Sequence, residues 1–172
     1  MCTYVYVYVY ALFTQFTLFA LSAQVLNTNY TISTLFEHFV PISLITLLNE
    51  YFSTVVEPIA RHRGVIHQFQ GDAVLATFNL PIEDPEHAAN AVCAASKIQQ
   101  VLSVGSFLVE GRELELHTRV GINTGLIVGG TVGSMSRVGY TVHGDDVNLA
   151  ARIEQLNKQF GISILVSGAT RD

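Results

Sequence analysis

The stretch VIHQFQGDAVLATFN, residues 65–79, consists of two short apolar runs with Gly71 and Asp72 between them. Both runs are rich in the β-branched and aromatic residues that favour strands. A two-residue connection made of Gly and Asp is typical of a tight β-hairpin. The stretch therefore predicts a hairpin with Asp72 at its tip.

Helical patterns lie on both sides of this hairpin. Apolar residues recur at helical spacing from 41 to 63, and Gly64 follows as a helix terminator. Asp84, Pro85 and Glu86 are typical of the start of a second helix. Two acids at 145–146 open a third helix. The expected buried positions are Ala91, Ala95, Ile98 and Leu102 on the second helix, and Leu149, Ile153, Leu156 and Phe160 on the third.

The C-terminal half adds strand patterns. Residues 114–122 alternate between apolar and polar, which predicts a strand with one buried face. Residues 125–133 are rich in glycine and predict turns, and residues 162–166 predict a last strand. Helices that alternate with hairpins indicate an α+β domain with its helices on one side of a sheet. We expect the hairpin to lie beside strand 114–122 in that sheet.

The charged residues are distributed very unevenly. The 172 residues include nine Lys and Arg and fourteen Asp and Glu, and all of them lie after residue 36. The net charge of −5 argues against non-specific binding of nucleic acid. Cys2 and Cys93 are too few for a disulfide framework or a zinc site, and they fit a reducing, cytoplasmic environment.

Residues 4–26 form an uncharged apolar span that is long enough to cross a bilayer as a helix. The alternating Tyr and Val of residues 4–10 are also good strand material. Two regular structures are therefore open for this span: a helix that anchors a cytoplasmic domain on a membrane, or a buried first strand. An irregular N-terminus is the remaining alternative. The composition divides the chain into an apolar segment at 1–33 and a folded domain at 34–172.

Four stretches carry a family resemblance: LLNEYF at 47–52, HQFQGDAVLATF at 67–78, RVGINTG at 119–125 and YTVHGDDVNLAARI at 140–153. Together they resemble the catalytic domain of class III adenylyl/guanylyl cyclases over residues 34–168. The resemblance implies a ferredoxin-like sheet with helices packed on one face, and active sites formed between two chains arranged head to tail. Family domains continue with further strands beyond a position like Ser167, so we expect the chain to be truncated.

The family converts ATP or GTP to the 3′,5′-cyclic nucleotide and pyrophosphate with two Mg²⁺ (or Mn²⁺) ions held by two aspartates. By resemblance, Asp72 is the second of these metal ligands, although Asp is also a common turn former. Asn148 and Arg152 are four residues apart, so they share one face of a helix. The resemblance assigns Asn148 to the ribose and Arg152 to the charge that builds on the phosphate. The alternative for Arg152 is a solvated helix face with an Arg–Glu pair.

Gln68 and Thr141 occupy the positions that read the base in this family. A Lys with an Asp or Thr is typical of adenylyl members, and a Glu with a Cys is typical of guanylyl members. Thr141 favours adenine, whereas the amide of Gln68 offers a donor or an acceptor to either purine. The resemblance therefore implies ATP in preference to GTP, with poor selectivity. The six histidines lack a third ligand at a plausible spacing, and we interpret them as structural or exposed.

The sequence departs from the family at the first metal aspartate. An ungapped count places Thr28 there and a gapped count places Leu12, and no Asp or Glu precedes Glu37. A site for two hard cations that lacks one carboxylate predicts very weak activity for this chain alone. Two alternatives remain. One is a non-catalytic cyclase-like module that binds nucleotide or pairs, as a homodimer or a heterodimer, with another cyclase chain. The other is a membrane-anchored sensor with no nucleotide role.

Overall fold

The computed structural model describes residues 8–10, 15–25, 40–134 and 137–171. The helices are α1 (Pro41–Arg61), α2 (His87–Leu102), α3 (Asp145–Phe160) and α4 (Gly168–Arg171). The first five strands are β1 (Tyr8–Tyr10), β2 (Gln15–Val25), β3 (Val65–Gln70), β4 (Ala73–Phe78) and β5 (Phe107–Val109). The remaining strands are β6 (Arg112–Leu114), β7 (Leu116–Leu126), β8 (Val128–Ser134), β9 (Arg137–His143) and β10 (Ile164–Val166).

The main sheet has five strands in the order β10-β7-β2-β4-β3. The predicted hairpin is β3 and β4, which pair antiparallel across a turn that contains Gly71 and Asp72. The hairpin and β7 lie in the same sheet, as expected, but they are not neighbours. β2 lies between them and pairs antiparallel with both β4 and β7.

The central position of β2 decides between the two structures that were open for residues 4–26. A membrane helix is wrong for residues 15–25, because they form this strand. Residues 4–7, 11–14 and 26 of the span lie outside the described residues. Within the ranges that the structure describes, no helix has the length and apolar character needed to cross a membrane.

The main core lies on one face of the sheet, under α1 and α2. Apolar side chains of α1, α2, β4 and β7 form one buried cluster there. All four predicted positions on α2 are buried within it: Ala91, Ala95, Ile98 and Leu102. The expected α+β domain with a cyclase-like fold is confirmed. The helices do not all lie on one face as predicted, because α3 packs on the opposite face of β7.

The packing of α3 corrects the predicted apolar stripe. Ile153 is buried, but Leu149 and Phe160 are 40% and 66% exposed. The buried residues of α3 are Ala150, Ile153, Glu154 and Asn157. A Cβ at position 121 of β7 would collide with the backbone of Ala150 and Glu154, so the glycine there lets the helix lie directly on the strand.

The glycine-rich stretch 125–133 is also different from the prediction. It does not form a series of turns. Residues 128–134 are strand β8, which pairs antiparallel with β9 and with β1 in a separate three-stranded sheet. A second, smaller apolar cluster joins this sheet to α3, and its buried members are Leu80, Ile127, Val142 and Ala150.

Candidate functional site

The hairpin carries two of the predicted site residues, Gln68 on β3 and Asp72 in the turn. Gly71 has φ of +61°, a conformation that glycine adopts without strain, and this closes the turn that presents Asp72. Asp72 is half-buried, and its charge acts on the buried hydroxyl of Tyr51. Burial is the main reason that the pKa of Tyr51 is raised, and the Asp72 carboxylate adds to the effect.

Three predicted site residues come together in one cavity of ≈ 530 Å³, although each lies on a different element. Gln68 lies on β3, Thr141 on β9 and Asn148 on α3, and all three line the cavity. The floor includes Val74, Leu75, Val142 and Val147, and further polar lining comes from Gln70, His143, Glu154 and Gln155. The cavity is therefore partly apolar, with polar groups at several points on its wall, as small-molecule sites usually are.

Asn148 is held in place through the start of α3. The carboxylate of Asp146 accepts hydrogen bonds of 2.9 Å from Asn123 Nδ2 and from the backbone N–H of Leu126. A Cβ at position 125 would collide with this carboxylate, so Gly125 provides the space that it occupies. Asp146 was expected only to open a helix. The sequence alone, with two acids shortly before Asn148, gives no sign of this bond to β7.

Two of the predicted site residues do not line the cavity. Arg152 lies one turn after Asn148 and is exposed, and it makes no ion pair with another residue that the structure describes. Its exposure fits the solvated helix face of the alternative interpretation, although no Arg–Glu pair forms there among the described residues. Asp72 lies on the hairpin tip and is not among the residues that line the cavity.

Glu154 is the acidic residue of the cavity wall, and Arg119 balances its charge. Arg119 Nε donates to Glu154 Oε1 at 2.9 Å, and both side chains are largely buried. The pair joins α3 to β7 below the cavity. An ion pair of this kind leaves the wall close to neutral, so the cavity does not present an isolated negative charge to an anionic ligand.

His67 is a site residue that the sequence interpretation placed only among structural or exposed histidines. It is half-buried beside Gln68, and its Nε2 lies 2.6 Å from Thr77 Oγ1. Its ring stacks on that of Tyr140, with centroids 5.7 Å apart, and burial lowers the pKa of His67. The structural interpretation fits these contacts, but they lie at the edge of the candidate site.

The residues around the hairpin tip do not amount to a complete site for two metal ions. No group of three or more His, Cys, Asp or Glu residues that could hold a metal is present in the described ranges. Thr28 and Leu12, the two positions counted for the first aspartate, lie outside those ranges. The β2–β4 ladder ends with Ser22 paired to Ala73, the residue after Asp72. No residue of β2 is an Asp or a Glu, so this strand brings no carboxylate to the hairpin tip.

The order of the strands and the cavity define a class of protein, and comparison with known families agrees with it. Residues 15–172 match the family model described as the adenylate and guanylate cyclase catalytic domain. The chain therefore belongs to the class III adenylyl/guanylyl cyclase catalytic domain family.

Individual relatives extend this result. The chain is 40% identical over 141 residues to adenylate cyclase 1 of Rhizobium meliloti, covering 81% of this chain and 21% of that protein. Among solved structures, it is similar to the guanylyl cyclase Cya2 with a TM-score of 0.77 and 29% identity, over 91% of this chain and 76% of that one. A bacterial light-regulated adenylyl cyclase gives a TM-score of 0.75 and 25% identity, over 98% and 45%. The chain spans about a fifth of the length of the curated relatives it matches.

Proposed function

We propose that this domain binds a purine nucleoside triphosphate and takes part in its conversion to the 3′,5′-cyclic nucleotide and pyrophosphate, with ATP preferred to GTP. The observation that carries the proposal is the shared cavity of Gln68, Thr141 and Asn148. These residues come from three distant parts of the chain, and the fold places them around one space. The named relatives, an adenylate cyclase and a guanylyl cyclase, support the same reaction class.

The proposed roles follow from the chemistry of the side chains. Gln68 and Thr141 contact the base, since an amide and a hydroxyl can each donate and accept a hydrogen bond. Asn148 orients the ribose so that its 3′-hydroxyl attacks the α-phosphorus. The hydroxyl gives its proton to water as the new O–P bond forms, and pyrophosphate departs with the electrons of the broken P–O bond. Arg152 stabilises the charge on the phosphate, because a guanidinium is always cationic and presents a planar fork of donors.

Asp72 contributes one carboxylate ligand to Mg²⁺ or Mn²⁺ in this proposal. Bound dications would supply charge stabilisation at the ribose and phosphate oxygens. The described residues provide only part of the donor set for two ions, because β2 contains no Asp or Glu. We therefore expect very weak turnover by this chain alone, on the order of a thousandfold below a member with both carboxylates.

A head-to-tail dimer explains why Asp72 and Arg152 lie away from the cavity. In such a pair, the tip of one chain reaches the cavity of the other, and each site combines Asp72 from one chain with Asn148 and Arg152 from its partner. The partner is a second copy of this chain or another cyclase chain. A heterodimer with a chain that keeps both carboxylates gives one complete site.

A second candidate function is a non-catalytic cyclase-like module that binds nucleotide or serves as a dimerisation partner. The observation that favours it is again the lack of a carboxylate in β2. Such a module keeps the cavity residues but releases no pyrophosphate. The two candidates therefore differ in turnover and agree in binding.

Nucleotide affinity and turnover, measured on the same purified full chain, separate these possibilities. We expect Gln68→Ala and Asn148→Ala each to weaken binding of a fluorescent ATP analogue about tenfold, because each removes a polar partner of the ligand. Lys158→Ala, on the exposed side of α3, is the control and should leave the affinity unchanged. Binding without any cyclic nucleotide in the heterodimer favours the non-catalytic module. Absence of binding contradicts the catalytic candidate and leaves only a dimerisation partner.

A further inference from the structure

The strand that carries Gln68 contains an irregularity that the sequence did not reveal. In the β3–β4 ladder, Ile66 pairs with Ala76 and Gln68 pairs with Leu75, so the register shifts by one residue between them. His67 is the extra residue and has no Cα partner on β4. A β-bulge of this kind redirects side chains, and bulges are frequent beside active sites.

The bulge changes which side of the sheet each residue of β3 faces. Residues paired directly across a ladder share a face. Ile66 and Phe69 pair with Ala76 and Val74, whose side chains are buried in the main core under α1 and α2. Gln68 pairs with Leu75, which packs in the smaller cluster on the cavity side.

His67 also lies on the cavity side, because its ring bonds Thr77, and the paired residues Val65 and Thr77 share that face. In a regular strand, two consecutive residues point to opposite faces. The bulge therefore brings His67 and Gln68 to the same face. Without it, one of these two side chains would point into the main core.

Two contacts hold the bulged residue in this position. His67 Nε2 lies 2.6 Å from Thr77 Oγ1 on the partner strand, a short hydrogen bond between part-buried side chains. The ring also stacks on Tyr140 of β9, at a centroid separation of 5.7 Å and an interplanar angle of 30°. Tyr140 directly precedes Thr141, so one ring contact links the strand of Gln68 to the strand of Thr141.

We propose that His67 is a positioning residue for the nucleotide, which fixes the separation and orientation of Gln68 and Thr141 and thereby sets the preference between adenine and guanine nucleotides. The inference rests on the proposed function, since it assigns a role within the same cavity. His67 acts through Gln68 and does not touch the ligand itself. The side chains of Gln68 and Thr141 can discriminate between adenine and guanine only when their donor and acceptor groups are held at a fixed spacing.

The test is a comparison of affinities for fluorescent ATP and GTP analogues, measured in Mn²⁺ on the full chain. His67→Phe keeps a ring on Tyr140 and removes the bond to Thr77, and Thr77→Val removes the same bond from the other side. We expect each variant to change the ratio of the two dissociation constants by about fivefold or more, the effect of one hydrogen bond. His67→Gln retains a donor and an acceptor for Thr77 but lacks the ring, so it should change the ratio less than His67→Phe does.

Two controls distinguish positioning from general damage. His117→Ala alters an exposed histidine of β7 and should leave both affinities unchanged. Tyr140→Phe keeps the stacked ring and should preserve the ratio of the two dissociation constants, whereas Tyr140→Leu should change it. If His67→Phe does not fold, these two variants provide the test instead. An unchanged ratio in folded His67→Phe and Thr77→Val, or equal losses for both nucleotides, overturns the role of His67. Failure of the unmodified chain to bind either analogue overturns the proposed function and, with it, this role.

Discussion

Asn123 of β7 donates a hydrogen bond of 2.9 Å from Nδ2 to Oδ1 of Asp146, the second residue of α3. Asn123 is only 1% exposed and Asp146 is half-buried, so the bond is partly shielded from water. Asn148 follows Asp146 by two residues. Asn148, the residue proposed to bind the ribose, is therefore held in position by a hydrogen bond between the start of α3 and the main sheet. The space for the Asp146 carboxylate depends on Gly125.

Gly125→Ala is expected to lower the free energy of unfolding by about 1–3 kcal/mol, because the added Cβ collides with the Asp146 carboxylate and overpacks the site. Chemical denaturation with a circular-dichroism readout measures the change. Gly139→Ala is the matched control. A Cβ there meets no atom within 4 Å, so the change should stay within about 0.5 kcal/mol. Equal effects at the two positions would show that Asp146 does not fill the space beside Gly125.

The ion pair below the cavity gives a second prediction. Arg119→Met should destabilise the fold by about 2 kcal/mol, because Glu154 keeps a largely buried charge without its partner. The control is Arg61→Met, which breaks the Arg61–Glu57 pair, where the side chains are 73% and 55% exposed. That change should cost less than about 1 kcal/mol. Similar losses in thermal denaturation of the two variants would contradict the burial of the Arg119–Glu154 pair.

Local signals were sufficient to predict the hairpin and its tip. Gly71 and Asp72 separate two strand-forming runs, and no distant contact is needed to recognise such a turn. The same holds for α2, whose alanine and leucine positions recur at helical spacing and are all buried. These features, with the family motifs, placed Gln68, Asp72 and Asn148 on the elements where the structure has them.

The errors concern contacts between distant elements. The buried side of α3 includes Glu154 and Asn157, because their partners Arg119 and the carbonyl of Val120 lie on β7. An apolar stripe cannot reveal such partners, and Leu149 was therefore placed in the core. The bulge at His67 likewise appears only in the pairing of β3 with β4. The sequence of β3 taken alone predicts a regular strand.

Acidification should weaken the fold partly through His67. Burial lowers the pKa of His67 below its ordinary 6.5, so the unfolded chain binds more protons than the folded chain as pH falls through that value. The free energy of unfolding should therefore decrease between about pH 7.5 and about pH 5.5. His67→Phe should make this decrease smaller. A part should persist, because burial also lowers the pKa of His87. A pH dependence that is the same in both proteins would contradict the burial of His67.

Restoring a carboxylate beside Asp72 should raise activity. The register places Ser22 and Ala23 next to the hairpin tip, and successive residues of a strand face opposite sides of the sheet. We expect one of the two substitutions, Ser22→Asp or Ala23→Asp, to increase Mn²⁺-dependent cyclic AMP formation at least about tenfold, equivalent to about 1.4 kcal/mol. Thr28→Asp, the substitution at the position that the ungapped count gives, serves as the comparison. If only Thr28→Asp raises activity, the register of β2 is not the one that sets the metal site.

The central claim is that this chain retains a working nucleotide half-site, and complementation tests it most directly. The chain is mixed with a cyclase that keeps both metal aspartates but has lost its own transition-state arginine, and cyclic AMP formation from ATP is measured. One of the two sites in the heterodimer then combines the partner's carboxylates with Asn148 and Arg152 of this chain. We predict activity in the mixture far above that of either chain alone, and loss of this gain with Arg152→Ala in this chain. Formation of the heterodimer, verified by sedimentation, without any cyclic nucleotide would contradict the claim.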